Sequence, residues 1–365
     1  MPRIVVVGGG AMGSAAAWQL AERGHAVTLL EQFEPGHTSG SSHGSSRIFR
    51  LAYADPFYIA LAARALPLWR QVEQRSGQAV LSLTGAVDHG PTAAIEELHR
   101  AMRAAGHASR ILSPDQAAER WPGLRYETSV LFHPEAGRVH ADHAVSAFQR
   151  AAAAGGAVIR HGVRAAKLLR LGAERVEVVT DAGEVLTADA AVVAVGGWAP
   201  TLAAAVVSGL PPMRVTQEQP VHLPAPDALA WPSFIHHTGS ALPDGAGVYG
   251  LGSVDGVKLG FHGVGPIVDP EHRDRSIDPA ALRRVQEYAA RWLPGADASA
   301  PTATTCLYTI TPDHDFVVDR QGPVTVLAGF SGHGFKFAPA IGELAADLVE
   351  GLPGASRFAL GRHPG

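Results

Sequence analysis

The feature that most constrains this chain lies at its start. An apolar run, Ile4 to Val7, enters the turn Gly8-Gly9-Gly10-Ala11-Met12-Gly13, followed by a helical stretch and then Val27-Thr28-Leu29-Leu30-Glu31. Each part has a physical role in a βαβ unit. Gly8 permits the tight turn, Gly10 lets backbone N–H groups approach a pyrophosphate, and Gly13 allows the helix to pack closely on the sheet. Glu31, about twenty residues on, is placed to accept hydrogen bonds from a ribose diol. Strand, turn, helix, strand and acid occur in the order the unit needs, so the chain is predicted to bind an adenine dinucleotide. The fold class is α/β.

With 365 residues, the chain is long enough for about two domains and a substantial core. Charged residues make up 18%, below the usual proportion of roughly 25%, which suits tightly packed helices rather than a nucleic-acid surface. A net charge of −4 with no long basic run argues against nucleic acid as a partner. The first strand begins within a few residues of Met1, leaving no room for a signal peptide. No apolar run approaches the roughly twenty residues that span a bilayer. The single cysteine excludes an internal disulfide and suits a reducing cytoplasm.

Downstream, helical spacing marks residues 58–72, with Pro67 as a kink point, and residues 93–105. Ser113-Pro114-Asp115 reads as the cap of a short helix over residues 116–120, and an alanine-rich helix covers residues 141–154. Among three strand-like runs that follow, the last is Ala190-Ala191-Val192-Val193-Ala194-Val195-Gly196-Gly197-Trp198. From Val215 to His262 short, turn-punctuated strands predict a second, mainly antiparallel sheet, and residues 278–292 read as a helix. The chain then returns to the nucleotide unit through Phe316 to Asp319 and Val324 to Gly329. Its last motif is Gly329-Phe330-Ser331-Gly332-His333-Gly334-Phe335-Lys336-Phe337, opening a helical run over 341–349. Such a loop presents free N–H groups and the positive end of a helix dipole.

Five stretches carry a family resemblance: VVVGGGAMGSAAAWQLAERG, SSHGSSRIFRLAY, AVVAVGGW, TCLYTITPDHDFVVDR and AGFSGHGFKFAPAIGELAADL. Together they resemble the monomeric sarcosine oxidase and N-methyltryptophan oxidase family, flavoproteins of the glycine/D-amino-acid oxidase group. The resemblance implies an FAD-binding, Rossmann-like domain of the glutathione-reductase type and a second α+β substrate domain on a mainly antiparallel sheet. The expected division is discontinuous: 1–84, 138–212 and 305–365 for FAD, and 85–137 and 213–304 for substrate. It further implies a monomer that oxidises a secondary amino acid with O2, with FAD joined covalently to a cysteine sulfur.

Cys306 is the candidate for that thioether. A lone cysteine is more often a small buried hydrophobe, but the segment CLYTITPDHDF before the glycine-rich loop matches the family's attachment region. Attachment requires a thiolate and nearby positive charge. By resemblance His43 and Arg47 contact the flavin, and Gly332 and Gly334 belong to the loop beside it; surface solvation or phosphate binding is the alternative for the first two. Arg50 and Lys336 match the two cations that clamp the substrate carboxylate, whose burial demands positive charge. Lys336 is thus expected where substrate and cofactor sites meet. Tyr249 and His262 match substrate-pocket positions, though packed strand residues of these types are common.

Lys258 corresponds by resemblance to the lysine over the flavin's reactive edge. A fixed cation there stabilises the charge that develops on O2. Lys258, Gly260 and His262 share a strand face, and a solvent-facing lysine on an edge strand is the competing reading. The chain departs from the family at Ser45, where an acid is familiar, and in a short turn between Tyr249 and Lys258. Both leave the substrate open, including a side chain larger than that of sarcosine. No metal site is expected: His236-His237, His140 with His143, and His314 form no four-ligand pattern. Three readings remain: an oxidase, a dehydrogenase passing electrons to another acceptor, and a non-catalytic nucleotide-binding sensor.

Overall fold

The structure is a computed structural model that describes residues 1–239 and 247–362. Its first layer is a six-stranded sheet in the order Val317–Gln321, Val324–Ala328, Ala190–Val193, Arg3–Val7, Ala26–Leu30, Val158–Arg160. All neighbours pair in parallel except Val317–Gln321, which runs antiparallel at one edge. Covered on both faces, the central strand is almost wholly apolar, as a parallel sheet requires. The helix Ala11–Glu22 packs against Ala141–Ala154 and Ala338–Val349. The approach is close because small residues face one another: a Cβ on Gly342 would lie 2.6 Å from the Ala15 backbone.

The second layer is an eight-stranded sheet, ordered Thr302–Ala303, Val221–Leu223, Gly256–Phe261, Val248–Ser253, Ser233–His236, Ala86–His89, Val130–His133, Arg110–Leu112. It is antiparallel apart from the pairing of Ser233–His236 with Ala86–His89. Its second core joins Phe234, Val257, Leu259, Tyr288 and Trp292. Two small sheets tie the layers together. Arg47–Phe49 and Leu81–Ser82 flank Gly137–Val139, and Arg214–Glu218 pairs with Cys306–Ile310.

Helix ends follow their local chemistry. Asp55 caps Pro56–Ser76, which continues through Pro67 to a left-handed Gly77. Ser113 and Gln116 form a reciprocal capping box on Pro114–Arg120, and Asp278 caps Pro279–Trp292. The run expected to extend through Trp198 ends as a strand at Val193, and Gly196–Trp198 forms a tight 3-10 turn. No helix among the described residues is long and apolar enough to cross a membrane.

Candidate active site

The two layers meet along two adjoining cavities. The larger, about 550 Å³, starts at the glycine turn, passes Glu31, Ser41 and Ser42, and ends against Gly332, Gly334 and Phe335. Backbone makes its narrow end. Gly8 has φ +101°, and a Cβ there would sit 2.4 Å from the Ala194 carbonyl oxygen. A Cβ on Gly13 would lie 1.9 Å from the Gly8 oxygen, so helix and turn could not both keep their places. Gly10 differs: its Cβ would meet only Ser42, at 3.2 Å. As the N-cap of Ala11–Glu22 it offers no side-chain cap, and Ser42 Oγ accepts from the Ala11 N–H at 3.0 Å. The helix therefore opens into the cavity with its dipole positive.

Glu31 is already partly engaged. It accepts from the Gly9 N–H at 2.7 Å and the Phe33 N–H at 3.0 Å, fixing the glycine turn while lining the cavity. Each carboxylate oxygen retains capacity for another donor such as a ribose hydroxyl. An open helix terminus, an acid beside it and a long cleft ending in a glycine-rich loop fit FAD: Gly8, Gly10 and Glu31 would hold the adenosine diphosphate half, Arg47, Gly332 and Gly334 would border the ring, and Gly13 lies outside the cleft, where it lets the helix pack on the turn. At that far end Gly332, at φ +75°, is pinned by Tyr308, whose ring would be 2.2 Å from a Cβ.

The second cavity, about 350 Å³, shares Arg47, Tyr308, Gly332 and Phe335 with the first. Arg50, Lys336, Tyr249, His262, Lys258 and Cys306 all line it. Arg50 follows the strand Arg47–Phe49, and Lys336 lies in the turn Phe335–Phe337, where Trp69 Nε1 donates to its carbonyl at 2.9 Å. The two cations converge on Tyr53, with the guanidinium 4.4 Å and the ammonium 5.6 Å from its ring centre. Burial, followed by the charge of Arg50, holds the Lys336 pKa well below its ordinary value. An entering carboxylate would favour its protonated form. None of the described lining residues is acidic.

Arg50 is not left without an anion: fully buried Asp88 stands 3.6 Å from its Nη1, and the guanidinium also donates to the Ala52 carbonyl. Lys258 lies on an interior strand, between Val221–Leu223 and Val248–Ser253, so the edge-strand reading fails. Its Nζ donates to Ser46 O at 3.3 Å, a carbonyl that also accepts from Arg47 Nη1 at 2.8 Å. Burial and then Arg47 push the Lys258 pKa down to about 7. His262 follows the same strand and is neutral, its pKa lowered to about 4 by burial and then Lys336. Tyr249 lies across Gly260, where a Cβ would meet its hydroxyl at 2.7 Å.

Cys306 is buried opposite Glu218 on paired strands. Burial raises its thiol pKa, while Arg47 and Lys258 pull it down. Positive charge is therefore present, but the protein alone favours the thiol. His43 sits beside Arg47 and Lys258 with its pKa lowered to about 3 by burial and then Arg47, and it lines neither cavity. The remaining histidines singled out in the sequence have local partners. His236 Nδ1 lies 2.7 Å from the Tyr288 hydroxyl, His237 Nε2 lies 2.8 Å from Asp88 Oδ1, and the His140 and His143 rings stack at 3.6 Å. His314 and His333 line the second cavity, with His333 Nε2 3.2 Å from the His314 carbonyl.

Sequence reasoning missed Tyr53, Tyr308, His333 and Asp88. Tyr308 was findable: two residues after Cys306 on one strand, it shares that face. His333 lies inside the glycine-rich motif, and Tyr53 at the end of RIFRLAY. Asp88 follows the apolar pair Ala86-Val87 in a strand that is buried throughout, so its carboxylate needs a partner.

Comparison with known proteins identifies the family. Residues 3–348 match the family DAO, FAD dependent oxidoreductase. Monomeric sarcosine oxidase of Bacillus sp. (strain B-0618) is 31% identical over 362 residues, 95% of this chain and 91% of that one. N-methyl-L-tryptophan oxidase of Yersinia pestis (strain Pestoides F) is 29% identical over 381 residues, 98% of each. Among solved structures, the open form of NikD, an unusual amino acid oxidase essential for nikkomycin biosynthesis, superposes with a TM-score of 0.84 at 26% identity, covering 99% of this chain and 98% of that one. The chain accordingly belongs to the DAO family of FAD-dependent oxidoreductases, among the relatives of monomeric sarcosine oxidase and N-methyltryptophan oxidase.

Proposed function

We propose that this protein is an oxidase of secondary amino acids, N-methyl or cyclic, that oxidises the substrate C–N bond to an imine, which water then hydrolyses, and reduces O2 to hydrogen peroxide. The observation that carries this reading is the convergence of Arg50 and Lys336, from opposite ends of the chain, in a cavity adjoining the cofactor cleft. Such a pair suits a carboxylate and leaves the amine to face the shared wall at Tyr308 and Gly332. The flavin, when bound, takes up the two electrons and hydrogen lost from the substrate carbon and delivers electrons to oxygen. The chain's residues supply orientation and charge. Arg50 and Lys336 hold the carboxylate, Tyr249 and His262 shape the wall, and Lys258 places a cation where negative charge develops on O2.

The same reading assigns FAD binding to 1–84, 138–212 and 305–365 and substrate binding to 85–137 and 213–304, in a cytoplasmic monomer. It also makes Cys306 the covalent anchor, with Arg47 and Lys258 favouring the thiolate. Acid precipitation tests that bond: yellow colour stays with the pellet and moves to the supernatant in Cys306→Ser. Flavin lost from wild-type protein on denaturation defeats the assignment. For the reaction itself, peroxide release is measured across a panel of N-methyl and cyclic amino acids. An oxidase makes peroxide, a dehydrogenase bleaches its flavin but turns over only with an artificial acceptor, and a sensor does neither.

A further inference from the structure

We propose that Asp88 is a positioning residue for substrate binding: from behind the cavity wall it fixes the orientation of the Arg50 guanidinium, and His237 in turn holds Asp88. The proposal rests on the reading of Arg50 as a carboxylate ligand and extends it to residues outside the cavity lining.

Asp88 lies on the strand Ala86–His89, in parallel register with Ile235, itself a lining residue. Its carboxylate is fully buried, an arrangement that demands compensating partners. Three are present. Only His237 is within hydrogen-bond distance, its Nε2 2.8 Å from Oδ1; Arg50 Nη1, 3.6 Å from the same oxygen, pairs with it by charge, and His133 Nε2 stands 3.7 Å from Oδ2. Burial works against the ionised form, and the polar and positive neighbours overcome it, holding the carboxyl well below the usual carboxylate range. Among the described residues, Asp88 is the acid within ion-pair distance of Arg50.

Geometry gives this pair its consequence. Arg50 directly follows the strand Arg47–Phe49 of one small sheet, whereas Asp88 lies within the eight-stranded sheet and His237 directly follows its strand Ser233–His236. The ion pair therefore bridges the element that carries the cation and the sheet that floors the cavity. A guanidinium is a rigid planar fork with five donors, so one edge can be held while another addresses a ligand. With Tyr53 under its face and the Ala52 carbonyl accepting one N–H, Asp88 is the remaining restraint that sets how the fork is turned. A long side chain left to sample rotamers must be ordered when the carboxylate binds, and affinity falls accordingly.

The test uses flavin-containing full-length protein and propionate as the probe, its binding followed through flavin absorbance and compared with steady-state kinetics. Asp88→Asn removes the charge and keeps the shape. The expected result is a propionate Kd and a substrate KM raised about tenfold, with kcat changed less than threefold. In an Arg50→Met background Asp88→Asn should add nothing, because the acid acts through the missing cation. Additive losses, unchanged affinity or tighter binding in Asp88→Asn overturn the proposal; tighter binding would make Asp88 a competitor of the substrate. If Asp88→Asn yields no folded holoprotein, His237→Asn decides. It must weaken propionate binding in the same non-additive way, and unchanged affinity overturns the proposal. Arg50→Met alone tests the underlying reading. If it leaves propionate affinity intact, the clamp itself is wrong; if it weakens binding while Asp88→Asn does not, only the role of Asp88 falls.

Discussion

The two cavities are built in opposite ways. At its glycine end the cofactor cleft is bordered by tightly packed backbone, Gly8 against Ala194 and Gly13 behind it against Gly8, with room for a Cβ at neither. The substrate cavity is walled by side chains from distant segments, including Arg50, Tyr249, Lys258, Cys306 and Lys336. Space made by backbone is shared with the fold, so altering it disturbs packing. Side chains projecting into a preformed hollow are freer to change function without unfolding the protein. The four residues common to both cavities, Arg47, Tyr308, Gly332 and Phe335, are where the two kinds of wall meet.

The sharpest way to break this contrast is at Gly13. Gly13→Ala places a Cβ 1.9 Å from the Gly8 oxygen, so a loss of about 3 kcal/mol of stability is expected from overpacking. Chemical denaturation of the purified variant, or its failure to accumulate as folded protein, measures this. Gly10→Ala, with only Ser42 nearby, should fold and lose FAD affinity instead. A stable Gly13→Ala protein would show that the cleft is less rigid than its geometry implies.

Next in size are the side-chain walls. Arg50→Ala or Lys336→Ala should weaken binding of substrate and of simple carboxylates by about 2–5 kcal/mol, with melting temperature changed little. Unchanged affinity for both ligands in both variants would move the substrate site elsewhere. Lys258→Met should slow reoxidation by O2 roughly a hundredfold, as for loss of one preorganised electrostatic group, while anaerobic reduction by substrate is far less affected. Stopped-flow absorbance separates the two halves. Because the Lys258 pKa is pushed down to about 7, reoxidation in the wild type should fall as pH rises through that value. The variant should lack this dependence.

The smallest effect concerns stability. His89 and His236 stack at 4.1 Å, and burial is the main cause lowering their pKa values to about 3 and about 4. The unfolded chain binds more protons between these values and the ordinary histidine range. Their contribution is thus complete above about pH 6.5 and is lost progressively as pH falls toward 4. His89→Phe should flatten that acid-side decline, read from melting temperature against pH. An unaltered slope would assign acid sensitivity to other groups.

How much was legible follows the same division. The βαβ unit and the helix cap at Ser113 are local patterns that appear where the sequence placed them, and the helix expected over 278–292 starts one residue later, capped by Asp278; the second sheet expected over 215–262 also takes in strands from 86–89, 110–112, 130–133 and 302–303. Element edges moved where tertiary contacts decide them. The 190–198 run breaks after Val193, and the last helix begins at Ala338 because the glycine-rich loop tightens into a 3-10 turn before it. Motifs brought Cys306, Lys336 and Arg50 to attention, yet nothing in a linear string shows that His43 stands outside both cavities or that Lys258 is interior.

By itself, the sequence determined those features whose physics is local. Glycines at fixed offsets make a phosphate-binding turn, alternating apolar residues make a strand, and an Asp or Ser before a helical run makes a cap. Only the tertiary structure decided the charge state and partnership of buried groups. Lys258 has its pKa lowered to about 7 because strands far apart in sequence bury it beside Arg47, and the Asp88 carboxyl is held well below the usual carboxylate range, against its burial, because His133, His237 and Arg50 are folded against it. Desolvation and Coulomb terms depend on distances across the fold, and those distances exist only once the two sheets have closed on one another.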